Sequence, residues 1–384
     1  MAHQRMSLIH APILADGSQS LSLPLGPTLL IQLGDIGDVV LTMPALQVLR
    51  WRLSDQALVV CVREHARELA EDCPWIDGVI SVDKTRRRPR DELAYQARFL
   101  MNLRKFRFRT AIDLRTGSRG AIAAFLSGAP CRIGRFANGA PFWRNRIFTH
   151  LVRPENELFQ YAAEHNLNIL APFSLGWKDP VLSLAIREPR KKQAEAILRE
   201  AGIPANKPIA AVHPFSLWGY KEWRIEAWAC LIHWLSIKKG YSVVITGSLS
   251  EQSRAQTLTK GLNGGAFNLA GKTTIGQLPA VLERCSFLIG VDTAALHIAA
   301  AVGLPTIGIF GPTSPVSWAP RGTRHCVVTK EMMCQPCREK GCGGTEKSRC
   351  LDELKAEEVI CQVEAHLERI GILAGPGRAS TDPS

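Results

Sequence analysis

The chain has 384 residues, 46% of them hydrophobic and 21% charged, which suits two domains of ordinary size and excludes wholesale disorder. Its eleven cysteines accompany no secretory leader in the first 27 residues, so reduced thiols or metal ligands in a cytoplasmic protein are expected rather than a disulfide framework. The formal charge of +12 is concentrated in one stretch: from Lys84 to Arg153, 17 Lys and Arg stand against Asp91, Glu92 and Asp113. Such a patch suits an anionic partner, whether nucleic acid, a phosphorylated substrate or an acidic membrane face.

Residues 1–27 carry no periodic pattern and read as a loose extension. The run Thr28 to Leu33 is a short buried strand ending at Gly34, and a helix fits Met43 to Arg52 with Pro44 in its first turn. Strands follow at Ala57–Val62, Val79–Val82 and Thr110–Leu114, with helices at Glu64–Glu71 and Asp91–Lys105 and a small-residue helix to Leu126. A Pro-rich, charged segment (176–207, with a helix from Arg190 to Ala201) separates a domain over 28–175 from one over 208–352. The second half repeats the theme, with strands at Pro208–His213, Ser242–Thr246, Phe287–Val291 and Thr306–Phe310 and helices between them. A helix within 353–372 closes the fold, and 373–384 is a flexible tail. The most apolar region, Ala294 to Pro312, is broken by His297, Gly303 and Pro305, so it is not a membrane span. Strand–helix alternation of this kind predicts two parallel-sheet α/β domains, Rossmann-like and in tandem.

Ligands bind outside the carboxyl ends of strands in open parallel sheets, and three strand ends here carry unusual residues. Leu33-Gly-Asp-Ile-Gly-Asp38 places Asp35 and Asp38 beside two glycines, either as a site or as a helix-capping loop. Val291-Asp-Thr-Ala-Ala-Leu-His297 opens a helix, with Asp292 as the expected cap and the amides of Thr293, Ala294 and Ala295 free to face a pyrophosphate. Phe310-Gly-Pro-Thr-Ser-Pro315 turns through Gly311. Lys221 lies on a loop after a strand, where a cation can neutralise a diphosphate leaving group. Cys334-x2-Cys337-x4-Cys342-x7-Cys350 has the density of a metal site but the spacing of neither a zinc ribbon nor a ferredoxin. It leaves open a structural zinc or iron, or reduced thiols.

Taken together over roughly residues 28–370, these segments resemble glycosyltransferase family 9, the ADP-heptose:lipopolysaccharide heptosyltransferases. The carriers are Ile36-Gly-Asp-Val-Val-Leu-Thr-Met-Pro44, Cys73-Pro-Trp-Ile-Asp-Gly-Val-Ile80, Asp113-Leu-Arg-Thr-Gly117, Arg132-Ile-Gly134, Asp292-Thr293 with His297, and Phe310-Gly-Pro-Thr313. The resemblance implies a GT-B fold, two Rossmann-like parallel-sheet domains facing a central cleft. It implies inverting transfer from ADP-L-glycero-D-manno-heptose to an anionic lipopolysaccharide inner-core acceptor, with no cofactor required for catalysis and no nucleic acid bound. Under it Asp38 is the general base, and Lys221 steadies the departing phosphate. Ser216, Asp292, Thr293, Ala294, Ala295, His297 and Gly311 hold the donor, with Glu251 on the ribose. Asp35, Arg115, Arg119, Arg135 and the run Arg86–Arg90 meet the acceptor, on a protein peripheral to the cytoplasmic face of the inner membrane. Ala294 stands where the family often has glycine, and Gly34 and Asp35 where serine is common, so the sugar is less fixed than the reaction class.

Other readings remain distinguishable. A related transferase using another nucleotide sugar or a protein acceptor fits nearly as well. A nucleic-acid-binding protein would explain the basic stretch and the cysteines but leaves the phosphate-like loops idle and lacks stacking aromatics. A nicotinamide dehydrogenase would need the G-x-G-x-x-G fingerprint, which neither glycine loop has.

Overall fold

The computed structural model describes residues 11–15, 20–85, 87–153, 157–173, 181–262 and 264–373. The chain divides into two compact units, Met1–Leu182 and Ser183–Ser384. The helix Glu188–Glu200, inside the segment expected as a linker, therefore belongs to the second unit, where Glu195 pairs with Arg284 at 2.5 Å.

The first unit is built on seven strands: β1 (Ile13–Ala15), β2 (Thr28–Gln32), β3 (Leu58–Arg63), β4 (Gly78–Val82), β5 (Thr110–Asp113), β6 (Cys131–Arg135) and β7 (His150–Val152). They lie in the order β1-β7-β6-β5-β2-β3-β4, every pair parallel. Strand β2 is buried along its whole length, as a central parallel strand covered on both faces must be. The expectation of a loose extension over 1–27 does not hold for Ile13–Ala15, which pairs with β7 at the sheet edge. Three residues are too few to show a period, so nothing in the sequence announced it.

The second unit has β8 (Ile209–His213), β9 (Ser242–Ile245), β10 (Ala266–Asn268), β11 (Phe287–Val291), β12 (Thr306–Ile309) and β13 (His325–Val328). Their order is β10-β9-β8-β11-β12-β13, again all parallel. The helix Ala356–Arg369 packs its buried Val359, Val363 and Leu367 into this unit's core, and the Trp223 indole N–H donates to the Leu354 carbonyl at 2.9 Å.

Leaving aside edge strand β1, both units share one winding. The chain runs outward from a central strand, returns to that strand's other side and runs outward again. The reversal falls between β2 and β5 in the first unit and between β8 and β11 in the second. At such a switch point the loops leaving two adjacent strands diverge, and a crevice opens at their carboxyl ends. The segments that follow β2, β5, β8 and β11 contain Asp38, Arg115, Lys221 and Asp292.

Candidate active site

At the first switch point, β2 ends and the short helix Ile36–Val40 begins within four residues, with Asp35 as its N-cap and Asp38 in its first turn. The Asp38 carboxylate folds back: its Oδ2 accepts from the Asp35 backbone N–H at 2.9 Å and from Arg115 Nη1 at 2.7 Å. Gly34 makes this possible, because a Cβ there would overlap the Asp38 carboxyl group. The loop rests on a buried polar chain. Gln32 Oε1 accepts the Gly34 N–H at 3.1 Å, Gln32 Nε2 donates to Thr42 Oγ1 at 3.0 Å, and the Thr42 hydroxyl donates to the Asp38 carbonyl at 2.7 Å. Asn166 closes it from another helix, donating to the Leu41 carbonyl at 2.9 Å. Every member has its partner, so the chain fixes the loop rather than straining it.

Arg115 is itself clamped by its backbone. Its N–H donates to Asp113 Oδ1 at 3.2 Å, and its carbonyl accepts from Arg144 Nη2 at 2.7 Å. Asp113 and Arg144 are both fully buried and lie 3.5 Å apart as an ion pair. Burial pushes the Asp113 carboxyl up to about 7, against the opposing pull of the Arg115 hydrogen bond and the surrounding arginines. Asp35 pairs outward with Arg63 at 2.6 Å. Arg119 is exposed in the first turn of the helix Ser118–Leu126. Arg135 is committed elsewhere: its guanidinium bonds the Glu157 carboxylate and donates to the His165 carbonyl at 2.8 Å, and it is largely buried. In this arrangement Arg135 organises the fold instead of presenting a free cation. Arg86 lies outside the described residues, and its neighbour Arg87 pairs with Asp83.

At the second switch point, Lys221 Nζ donates to Asp292 Oδ2 at 2.7 Å. Asp292 is therefore not the expected helix cap. The N-cap of the helix Ala294–Ala301 is Thr293, and the preceding carboxylate is held by the lysine instead. The amides of Ala294 and Ala295 open that helix, and the buried Thr293 hydroxyl has no hydrogen-bond partner among the described residues. His297 lies one turn on, buried, its ring 6.4 Å from that of Trp318. Ser216 shapes the lysine loop: its N–H donates to Glu222 Oε1 at 2.9 Å and its hydroxyl accepts the Trp218 N–H at 3.2 Å. Glu251, expected on a ribose, accepts the Ser248 N–H at 2.6 Å as a local cap. His213, at the end of β8, is lowered to about 4 by burial despite the nearby Glu251 and Glu222 carboxylates. Thr246 donates to the Val212 carbonyl at 3.1 Å, so at 2.9 Å its oxygen accepts from the His213 Nδ1–H, which in the neutral ring leaves Nε2 as the acceptor.

Gly311 owes its identity to packing, since a Cβ there would stand 2.6 Å from Leu351. That contact belongs to a larger one. The cysteine segment leans on both loops of this edge: Gln335 Nε2 donates to the Gly311 carbonyl at 2.9 Å, and Ser348 Oγ donates to the Tyr220 carbonyl at 2.6 Å, next to Lys221.

The family model for glycosyltransferase family 9 (heptosyltransferase) matches residues 96–347. The chain belongs to that family. A curated relative, lipopolysaccharide heptosyltransferase 3 of Escherichia coli, is 26% identical over 289 residues, covering 74% of this chain and 83% of that one. Among solved structures, a family 9 glycosyltransferase from Veillonella parvula has a TM-score of 0.76 at 23% identity, covering 91% and 99% of the two chains. The E. coli ADP-heptose lipopolysaccharide heptosyltransferase II follows at 0.73 and 19%, covering 90% and 99%. These likenesses bear out the GT-B class of two parallel-sheet domains and, with the family match, a glycosyltransferase that handles heptose.

A more distant structural neighbour, TibC of enterotoxigenic E. coli, is an iron-containing glycosyltransferase (TM-score 0.54, 15% identity, covering 91% of this chain and 78% of that one). In the present chain Cys334 and Cys342 are exposed, Cys337 is half-buried and Cys350 is buried. Cys342 Sγ accepts the Arg349 N–H at 3.5 Å. Among the described residues no three His, Cys, Asp or Glu side chains converge so as to hold a metal ion. The sequence leaves a structural zinc or iron and reduced thiols both open for these four cysteines; burial first, then the neighbouring Cys342 and Cys337, raises the Cys350 thiol to about 11. No helix among the described residues is long and apolar enough to cross a membrane.

Proposed function

We propose that the chain transfers heptose from ADP-L-glycero-D-manno-heptose to an anionic lipopolysaccharide inner-core acceptor with inversion at the anomeric carbon, at the cytoplasmic face of the inner membrane. The observation that carries this reading is the state of Asp38. Its carboxylate sits at a switch point with Oδ2 held by two donors, which orients the group for proton transfer.

In the step proposed, Asp38 takes the proton of the acceptor hydroxyl as that oxygen bonds to the anomeric carbon. The bond from the anomeric carbon to the donor phosphate breaks, and ADP departs with the electron pair. A carboxylate is a weak base. It suffices where the proton leaves late, as the hydroxyl meets a carbon that has already gained oxocarbenium character. Lys221 is the cation for the leaving diphosphate, aimed by Asp292, while the Ala294 and Ala295 amides and the Thr293 hydroxyl offer hydrogen-bond donors. Arg115 and Arg119 are the acceptor-side cations. Glu251 stays a candidate for the ribose hydroxyls through the oxygen that does not cap Ser248. The neutral His213, with Nε2 as acceptor, is a polar group at this edge that sequence reading passed over.

Calorimetric titration with ADP, UDP, GDP and CMP, followed by turnover of the matching sugar nucleotide with an Asp38→Asn control, tests the reading. ADP preference, with turnover lost and ADP binding kept in the variant, is the expected result. Preference for UDP or GDP would retain the mechanism and replace the donor. Absence of nucleotide binding would overturn the proposal.

A further inference from the structure

The helix Pro89–Lys105 has two apolar stripes where a soluble helix needs one. The inner stripe is Tyr95, Phe99 and Leu103: Leu103 is fully buried, Phe99 packs on the first unit's core, and the Tyr95 and Phe99 rings stack at 6.5 Å. That stripe fastens the helix. The outer one is Leu93, Ala97, Leu100 and Met101, which recur at the i, i+4, i+7 and i+8 positions of a single face. Leu93 is 73% exposed and Met101 62%. Exposed apolar side chains scattered singly call for no explanation, but a full helical stripe of them marks a surface that meets something.

Charge indicates what it meets. From Lys84 to Arg107 the sequence carries nine Lys and Arg against Asp91 and Glu92. Arg90 and Arg104 continue the outer stripe at its two ends, and Arg98 and Lys105 flank it; all four are exposed. An apolar stripe bordered by cations is the pattern of a helix lying in the headgroup plane of an anionic bilayer. A second copy of this chain seated on the same stripe would set these cations against their own equivalents. A nucleic acid would find the helix's aromatic rings turned inward, and leucine and methionine offer no stacking surface.

The geometry points to this helix as a membrane-docking element: its outer stripe enters the interface of an anionic bilayer while Arg90, Arg98, Arg104 and Lys105 engage lipid phosphates. The inference deepens the proposed function and rests on its placing of the acceptor in such a bilayer, yet its test needs no turnover. The full chain is floated with vesicles of phosphatidylethanolamine and phosphatidylglycerol, and with vesicles of phosphatidylcholine alone. The expected result is co-flotation with the anionic vesicles only, falling about ten-fold in Leu93→Glu/Met101→Glu and falling again in 0.5 M salt, where the Debye length drops to about 4 Å from about 30 Å in dilute buffer. Because both positions are exposed, the double variant should keep the parent melting temperature and ADP affinity. Equal flotation of parent and double variant would overturn the proposal. So would failure to bind anionic vesicles at low salt, or a parent dimer that the double variant dissolves. Loss of heptose transfer with flotation intact would instead count against the proposed function alone.

Discussion

The two switch points are built alike and charged in reverse. In the first unit the carboxylate, Asp38, leaves the central strand and the cation, Arg115, comes from the strand across the reversal. In the second the cation, Lys221, leaves the central strand and the carboxylate, Asp292, comes from across. Their exposure differs as well: the side chains are 22% and 45% exposed for Asp38 and Arg115, but 5% and 19% for Asp292 and Lys221. An exposed pair is held weakly and can open, whereas a buried pair is expensive to separate. The first edge is thus suited to a carboxylate that must exchange partners during a reaction. The second is suited to a cation that must stay where it is.

The largest expected effect falls on the exchangeable carboxylate. Asp38→Asn should lower kcat by about 10²–10⁴-fold with little change in unfolding midpoint. A matching loss of stability would mean that the first edge is as structural as the second. Next comes Lys221→Met, which leaves Asp292 buried without its cation and should cost about 3–5 kcal/mol in urea unfolding. Adding Asp292→Asn should recover a good part of that loss, and absence of recovery would break the pairing argument.

A third comparison is in pH, because each half holds beside its switch point a titratable group that burial shifts strongly, Asp113 in the first and His213 in the second. Asp113 is raised to about 7, so the folded state keeps a proton that the unfolded chain gives up near pH 4. Its stabilising contribution is complete below the ordinary carboxylate range and is lost as pH rises through 7. His213 is lowered to about 4, so its contribution is complete above the ordinary histidine range and is lost as pH falls through 4. Denaturation midpoints measured between pH 4 and 8 should show Asp113→Asn flattening the upper limb and His213→Gln the lower. The smallest effect is that of Arg115→Ala, whose exposed pair should be worth no more than about 1 kcal/mol of stability, with its consequence appearing in KM for the acceptor.

Much of this was legible in the sequence, and the exceptions share a cause. The long central strands Thr28–Gln32, Leu58–Arg63, Ile209–His213 and Phe287–Val291 carry continuous apolar runs that can be read directly. Strands β1, β6, β7, β10 and β13 are short or lie toward the sheet margins, and His150–Val152 or His325–Val328 hold too few apolar residues to show a period. Asp38, Lys221 and Asp292 were singled out from their loops, but the partnership of residues 71 apart depends on which strands become neighbours. The same holds for Arg144. It looks like one more arginine in a basic stretch, and only the fold sets it beneath Arg115, where a fully buried guanidinium has a structural task. Gln32, Thr42 and Asn166 carry no motif at all, and their role exists only once 125 residues of chain bring Asn166 back to Leu41.

The strand Ile13–Ala15 has a practical side for anyone trimming the chain for expression. It covers the outer rim of β7, hydrogen-bonding through the Ile13 N–H to the Thr149 carbonyl at 2.9 Å. A truncation beginning at Ser20 would keep both switch points and every group proposed for catalysis, yet strip that rim bare. An uncovered parallel strand is a template for a neighbouring molecule's backbone, so such a shortened protein should turn up as soluble aggregates on gel filtration while its active fraction works normally.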